Sequence, residues 1–319
     1  MLINLVYSIN AVFPIFILVI LGYVLRRFGF ISEEFCDVSE RVVFKIALPI
    51  MLFLDVAGSS MDVIGDMRLI WFCVVTVTAS FLLVSLFARF CIRDKSKRGA
   101  FTQGSCRSNF AILGVPIAEN MFGTVGAQTI AIVMPFVILM FNAYSVVILT
   151  LFSDDENTKL DKKRILGIFK NIVTNPLIIG VVLGLPFLFL DWELPVIVNK
   201  SLNYLSDLCT PLALMSLGAN FKPANLKGRV GYAIGSSLCK TVLLPCIMVT
   251  IAALLGFRDV ALGVVLILFG APTAVSSYIM AKKMHNDGEL AAQILLLTTL
   301  LCIFTIFIGI FILKTLQLI

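Results

Sequence analysis

Ten apolar runs of 18 to 28 residues alternate with short connections through almost the whole of a 319-residue chain. An α-helix needs about 20 apolar residues to cross the hydrocarbon core of a bilayer. By residue number the runs cover 8–25, 41–58, 69–90, 100–121, 125–152, 169–190, 195–221, 230–256, 260–281 and 290–316. What remains suffices only for loops, so no sizeable soluble domain fits. Composition agrees: 60% of the residues are hydrophobic and 14% charged, against about 25% charged in soluble domains. The chain therefore reads as an all-α polytopic membrane protein of ten helices, with the lipid bilayer as its solvent.

The distribution of charge sets the direction of the helices. A cleaved signal peptide carries its positive charge ahead of the apolar stretch. Here Arg26 and Arg27 follow the first run, so that run is expected to stay as a helix with its N-terminus outside. In that orientation 19 of the 25 lysines and arginines fall in cytoplasmic connections and four on the outer side. Arg107 and Lys240 lie inside runs. The positive-inside rule then places both termini outside a cell membrane. The net charge of +6 reports this topology rather than a nucleic-acid partner. The eight cysteines are scattered without a C-x-x-C pair, and His285 is the single histidine. No metal, redox or other cofactor is expected.

The chain resembles itself at an offset of 162 residues. Pro14 meets Pro176, Gly22 meets Gly184, Pro49 meets Pro211 and Ala57 meets Ala219. Further on, Gly114-Val115-Pro116-Ile117-Ala118 meets Gly270-Ala271-Pro272-Thr273-Ala274 at an offset of 156. Two five-helix halves follow, residues 1–152 and 164–319, joined by a cytoplasmic linker at 153–163. An odd number of crossings turns the second half upside down, which is the inverted repeat recurrent among secondary transporters.

Pro116 and Pro272 fall in the fourth run of each half. Proline removes a backbone donor and clashes with the carbonyl four residues back. Freed backbone groups are tolerated in a membrane only where protein or a water-filled cavity satisfies them. Paired breaks would aim half-helix N-termini, the positive dipole ends, at a common point suited to a carboxylate. Candidate substrate-binding residues are therefore Arg107, Asn109, Gly114, Pro116, Pro272, Thr273, Ser276 and Ser277. Asn109 offers both a donor and an acceptor. Arg107 either neutralises an anion or snorkels to the cytoplasmic surface, with the balance toward snorkelling.

Lys45 and Asp207, also 162 apart, are candidates for ion coupling, Asp207 for a proton or another cation. A charge at mid-bilayer costs about 2.5–3.5 kcal/mol on insertion scales. The plain alternative is a structural charge satisfied by hydroxyls and water. Lys240 calls for a partner on a neighbouring helix that spacing does not name. The G-x-x-x-G patterns Gly180–Gly184 and Gly231–Gly235 permit close helix contact within the protomer or in a homodimer.

The stretch from Asn109 to Pro116 resembles the N-x4-G-x-P crossover motif of the auxin efflux carrier family. Leu48-Pro49, Asn175-Pro176, Pro211-Leu212-Ala213-Leu214 and Ala271-Pro272-Thr273-Ala274 are similar to other family segments, in family order. The resemblance implies ten helices as two inverted five-helix repeats. It also implies a scaffold of spans 1, 2, 6 and 7, and a moving unit with crossed broken helices 4 and 9. Family substrates are small organic acids, among them auxin, malate and malonate. The linker is short, as in bacterial members.

The expected function is a secondary carrier of a small organic anion, with H+ or Na+ as coupling partners to be considered. A sodium- or proton-coupled carrier of similar crossed-helix architecture and a different substrate is the nearest competitor. A channel-like protein is a further reading. An intramembrane enzyme is disfavoured because H-E-x-x-H and G-x-S-x-G are both missing from the chain.

Overall fold

The computed structural model describes residues 2–58, 67–153, 174, 176–190, 192–220 and 230–319. The expected linker beyond Ser153, Asn175 and the basic residues Lys222, Lys227 and Arg229 lie outside the described residues. All regular structure among the described residues is helical. Up to residue 153 the chain runs α1 (Leu2–Arg27), α2 (Glu33–Val42), α3 (Leu48–Ala57), α4 (Met67–Cys91), α5 (Lys95–Cys106), α6 (Val115–Phe122) and α7 (Thr124–Leu151). From residue 176 it runs α8 (Pro176–Leu190), α9 (Val196–Asp207), α10 (Cys209–Ala219), α11 (Val230–Leu238), α12 (Leu244–Leu254), α13 (Asp259–Gly270), α14 (Val275–Lys283) and α15 (Gly288–Thr315).

Six segments are long and apolar enough to cross a membrane: Ile3–Arg27, Met67–Cys91, Thr124–Leu151, Val230–Leu254, Asp259–Tyr278 and Gly288–Thr315. The other four runs depart from the simple pattern for identifiable reasons. The second begins in the charged helix α2, and the fourth is interrupted between α5 and α6. The sixth is only partly described. The seventh is divided at Leu208 and carries Asn199, Lys200, Asn203 and Asp207. Trp71, Leu82, Leu83, Phe90, Leu254 and Phe304 are all more than 60% exposed, an apolar exterior suited to lipid rather than water.

Proline shapes three helices without breaking them. Single π-helical turns occupy Val43–Ala47, Phe110–Gly114 and Cys239–Leu243. Each precedes an X-Pro pair: Leu48-Pro49, Val115-Pro116 and Leu244-Pro245. The proline cannot donate to the carbonyl four residues back and would clash with it. A turn with one extra residue moves that carbonyl aside and lets the helix continue.

The helices pack closely where glycine allows. α1 lies on α10 and α8 lies on α3. A Cβ on Gly22 would run into the backbone of Met215, and one on Gly218 into the backbone of Val19. A Cβ on Gly180 would meet the backbone of Pro49, and one on Gly184 would come within 2.9 Å of Phe53 O and of Val56. Gly180–Gly184 is thus a close helix contact, as its spacing predicts. Gly231–Gly235 makes no such contact within the protomer: Gly231 has nothing within 4 Å of its Cβ position. Both of these glycines instead line an apolar hollow of about 810 Å³ beside α4. Gly22→Leu and Gly184→Leu are therefore expected to destabilise by about 1–3 kcal/mol through overpacking, while Gly231→Leu leaves the melting temperature unchanged. Thermal denaturation of the purified variants checks both statements.

The most enclosed element is α13, in which every residue from Leu262 to Gly270 is buried. A helix apolar on all faces belongs at the centre of a bundle. It ends at the second of two interruptions, from which the candidate site is built.

Candidate functional site

Two helices stop in the interior of the bundle. α5 ends at Cys106, and Arg107 is extended, with φ −73° and ψ 133°. α13 ends at Gly270, and Ala271 is extended, with φ −62° and ψ 148°. Both helices have 12 residues, starting at 95 and 259 and ending at 106 and 270, so their bounds are 164 residues apart. The two proline motifs are 156 residues apart, so the prolines stand at different places relative to the two breaks. Pro272 lies in its interruption, whereas Pro116 lies in the first turn of α6, seven residues beyond Asn109. The π-helical turn Phe110–Gly114 accommodates Pro116, so this proline breaks nothing.

The second interruption has a local cause, since a residue before proline is driven from the helical region. The first is marked by Ser108 and Asn109, residue types that favour caps over helix interiors. Asn109 is the N-cap of the following helical segment.

The interruptions lie against each other. Asn109 N–H donates to Pro272 O at 2.7 Å, and Ser108 Oγ donates to Ala271 O at 3.5 Å. Thr273 Oγ1 donates to Gly104 O at 2.5 Å, and Thr273 N–H donates to Thr298 Oγ1 at 3.2 Å. These bonds tie each break to the other or to α15.

Arg107 fastens this junction to its surroundings. Its guanidinium donates to Asn142 Oδ1 at 2.9 Å and to Ser276 Oγ at 2.9 Å. It also donates to Ser145 Oγ at 3.3 Å and to Met280 Sδ at 2.9 Å. The side chain is buried. The snorkelling reading of Arg107 is therefore wrong: four inward partners on α7 and α14 hold the charge among the helices.

A cavity of about 560 Å³ opens beside the junction, within the usual range of about 300–1,000 Å³ for small-ligand sites. Asn109, Ile112, Ala274, Val275 and Ser276 form its inner end. These are the first residues of the two helical segments that follow the breaks, where backbone N–H groups lack intrahelical acceptors and the dipole is positive. Asn109 is 5% exposed, and its Nδ2 is buried without a hydrogen-bond partner. Ala213 and Leu217 of α10 form part of the wall. Asp37, Glu40, Arg41 and Lys45 line the cavity too. Glu40 is occupied, accepting from Asn220 Nδ2 at 2.6 Å.

The family described as membrane transport protein matches residues 7–310. The chain belongs to the membrane transport protein family. An uncharacterized transporter of Methanothermobacter thermautotrophicus is 27% identical over 92% of this chain and 94% of its own. A Rhizobium meliloti protein proposed to be a malonate transporter is 25% identical over 92% of each chain. Auxin efflux carrier component 8 of Arabidopsis thaliana is 23% identical over 89% of this chain and 91% of its own. This family membership makes the chain a multi-pass membrane transporter and not an enzyme.

In this family member the sequence-derived residues separate into distinct places. Asn109 and Ser276 line the cavity. Thr273 and Pro272 build the junction behind it, and Arg107 anchors it. Gly114 packs against Phe110 and Ile267, Pro116 is buried in α6, and Ser277 is buried with its hydroxyl unpartnered. Lys45 is exposed and lines the cavity. Asp207 is exposed at the end of α9 and takes no part in the junction described here. Asn142 and Ser145 were missed, although their i, i+3 spacing on an apolar helix marks one polar face.

Proposed function

We propose that this protein is a secondary carrier that moves a small organic anion, a mono- or dicarboxylate, by alternating access across the cell membrane. The observation that carries the reading is the unpartnered Asn109 amide at the inner end of the cavity, beside two converging helix N-termini. A buried donor without an acceptor is costly, and a carboxylate would satisfy it together with the positive dipole ends. Lys45 adds positive charge for an incoming anion. The proposed relation of the halves is an inverted repeat of five spans each, with broken helices 4 and 9 crossing at the junction. Two symmetric pairs support it: the offset of 162 relates Gly22 to Gly184 and Phe53 to Met215, and Gly22 packs on Met215 as Gly184 packs on Phe53. With both termini outside, as the basic residues indicate, the cavity opens toward the cytoplasm.

The name of the Rhizobium meliloti relative makes malonate the first probe. In a thermal-shift panel of the purified protein, malonate or another small carboxylate is expected to raise the melting temperature by about 2 °C or more at saturating concentration. Counterflow in proteoliposomes with the same compound is then expected. A panel of mono- and dicarboxylates that leaves the melting temperature unmoved, or flux that never saturates, would overturn the proposal.

A further inference from the structure

Lys240 sits in the π-helical turn Cys239–Leu243, inside the membrane-length segment Val230–Leu254. Its side chain is 0% exposed. The ammonium donates to Phe269 O at 2.7 Å and to Leu268 O at 3.4 Å. These are the last carbonyls of α13 before Gly270, and each has lost its normal helical donor for a separate reason. The donor for Leu268 O would be the N–H of residue 272, which is a proline and has none. The donor for Phe269 O would be Thr273 N–H, which is given to Thr298 Oγ1 instead. Two orphaned carbonyls thus meet the negative end of a helix dipole in the interior of the bundle.

In transporters with broken helices such C-terminal ends and unwound carbonyls coordinate Na+ or H+. Here the place is filled by a cation that belongs to the chain. The first half differs. Gly104 O, which corresponds to Leu268 O at the offset of 164, takes the neutral hydroxyl of Thr273.

We propose that Lys240 is a tethered counter-cation that substitutes for a coordinated metal cation at the end of α13, so that the carrier folds and works without sodium. The inference rests on the carrier reading but not on the substrate class, and its test is separate from the carboxylate panel. Purified wild-type protein is melted in NaCl and in choline chloride of equal ionic strength, and the two melting temperatures are expected to agree within about 1 °C. Lys240→Ala is expected to melt about 5 °C or more lower in choline chloride. It should regain at least half of that loss in NaCl or methylammonium chloride, because only small cations fit the vacated space. Lys240→Gln, which keeps a donor without charge, takes the same titration if the alanine variant does not accumulate. Sodium that stabilises the wild type by several degrees over choline would overturn the proposal. So would variants as stable as the wild type, or variants indifferent to every cation. Failure of all carboxylates in the separate panel would sink the anion reading and leave this one standing.

Discussion

Arg107→Met is expected to lower the melting temperature by about 5–10 °C, from a loss of about 3 kcal/mol, and to weaken carboxylate binding about 100-fold. The guanidinium ties the first interruption to Asn142 and Ser145 on α7 and to Ser276 and Met280 on α14. Methionine fills the volume but leaves the part-buried Asn142 Oδ1 and Ser276 Oγ without that donor. Hydrogen bonds between membrane helices average about 0.6 kcal/mol, and those to charged groups reach about 1.5–3 kcal/mol. Four partners together therefore account for the expected loss. Binding falls with it because Ser276 lines the cavity and takes its position from this contact. Arg107→Lys keeps the charge but not the planar fork, and is expected to recover less than half of the stability. Melting curves with and without malonate measure both effects; an Arg107→Met protein as stable as wild type would refute the anchoring role.

Asn109→Ala separates binding from stability in the opposite sense. Its side chain makes no cap hydrogen bond to the following turn, and Nδ2 has no partner at all. The bond that joins the interruptions comes from its backbone N–H, which alanine retains. Removing an unpaired buried amide costs the unliganded protein nothing by this reasoning, so its melting temperature is expected to stay level or rise slightly. Carboxylate affinity is expected to drop about 100-fold, equivalent to about 2.7 kcal/mol. The checks are the same melting curves and isothermal titration. Wild-type affinity in a folded Asn109→Ala protein would remove this residue from the site.

The general architecture was legible because it depends on length and period. Apolar runs announce membrane helices, and α1, α4, α7 and α15 lie where their runs predict. Asn109 and Ser276 were legible as polar residues in runs that otherwise reject them. The place of the first break was not. The similarity of Gly114-Val115-Pro116 to Gly270-Ala271-Pro272 invited an alignment by prolines, yet one proline is absorbed by a π-helical turn and the other lies in an extended segment. Ser108-Asn109, a cap signal in the middle of an apolar run, was the better marker. The partners of Arg107 lie between 35 and 173 residues away, and those of Lys240 lie 28 and 29 away. No local spacing encodes such pairs; they exist only once the helices are assembled.

The link from Asn109 to Pro272 is made by main-chain atoms alone. No exchange of side chains deletes an amide hydrogen or a carbonyl oxygen, short of a proline at position 109. In the proposed carrier, selectivity can therefore drift through wall residues such as Ile112, Ala213 and Leu217 while the knot beneath them stays tied. A lineage built on this scaffold is free to change cargo one wall residue at a time without reinventing the clasp that makes the pocket.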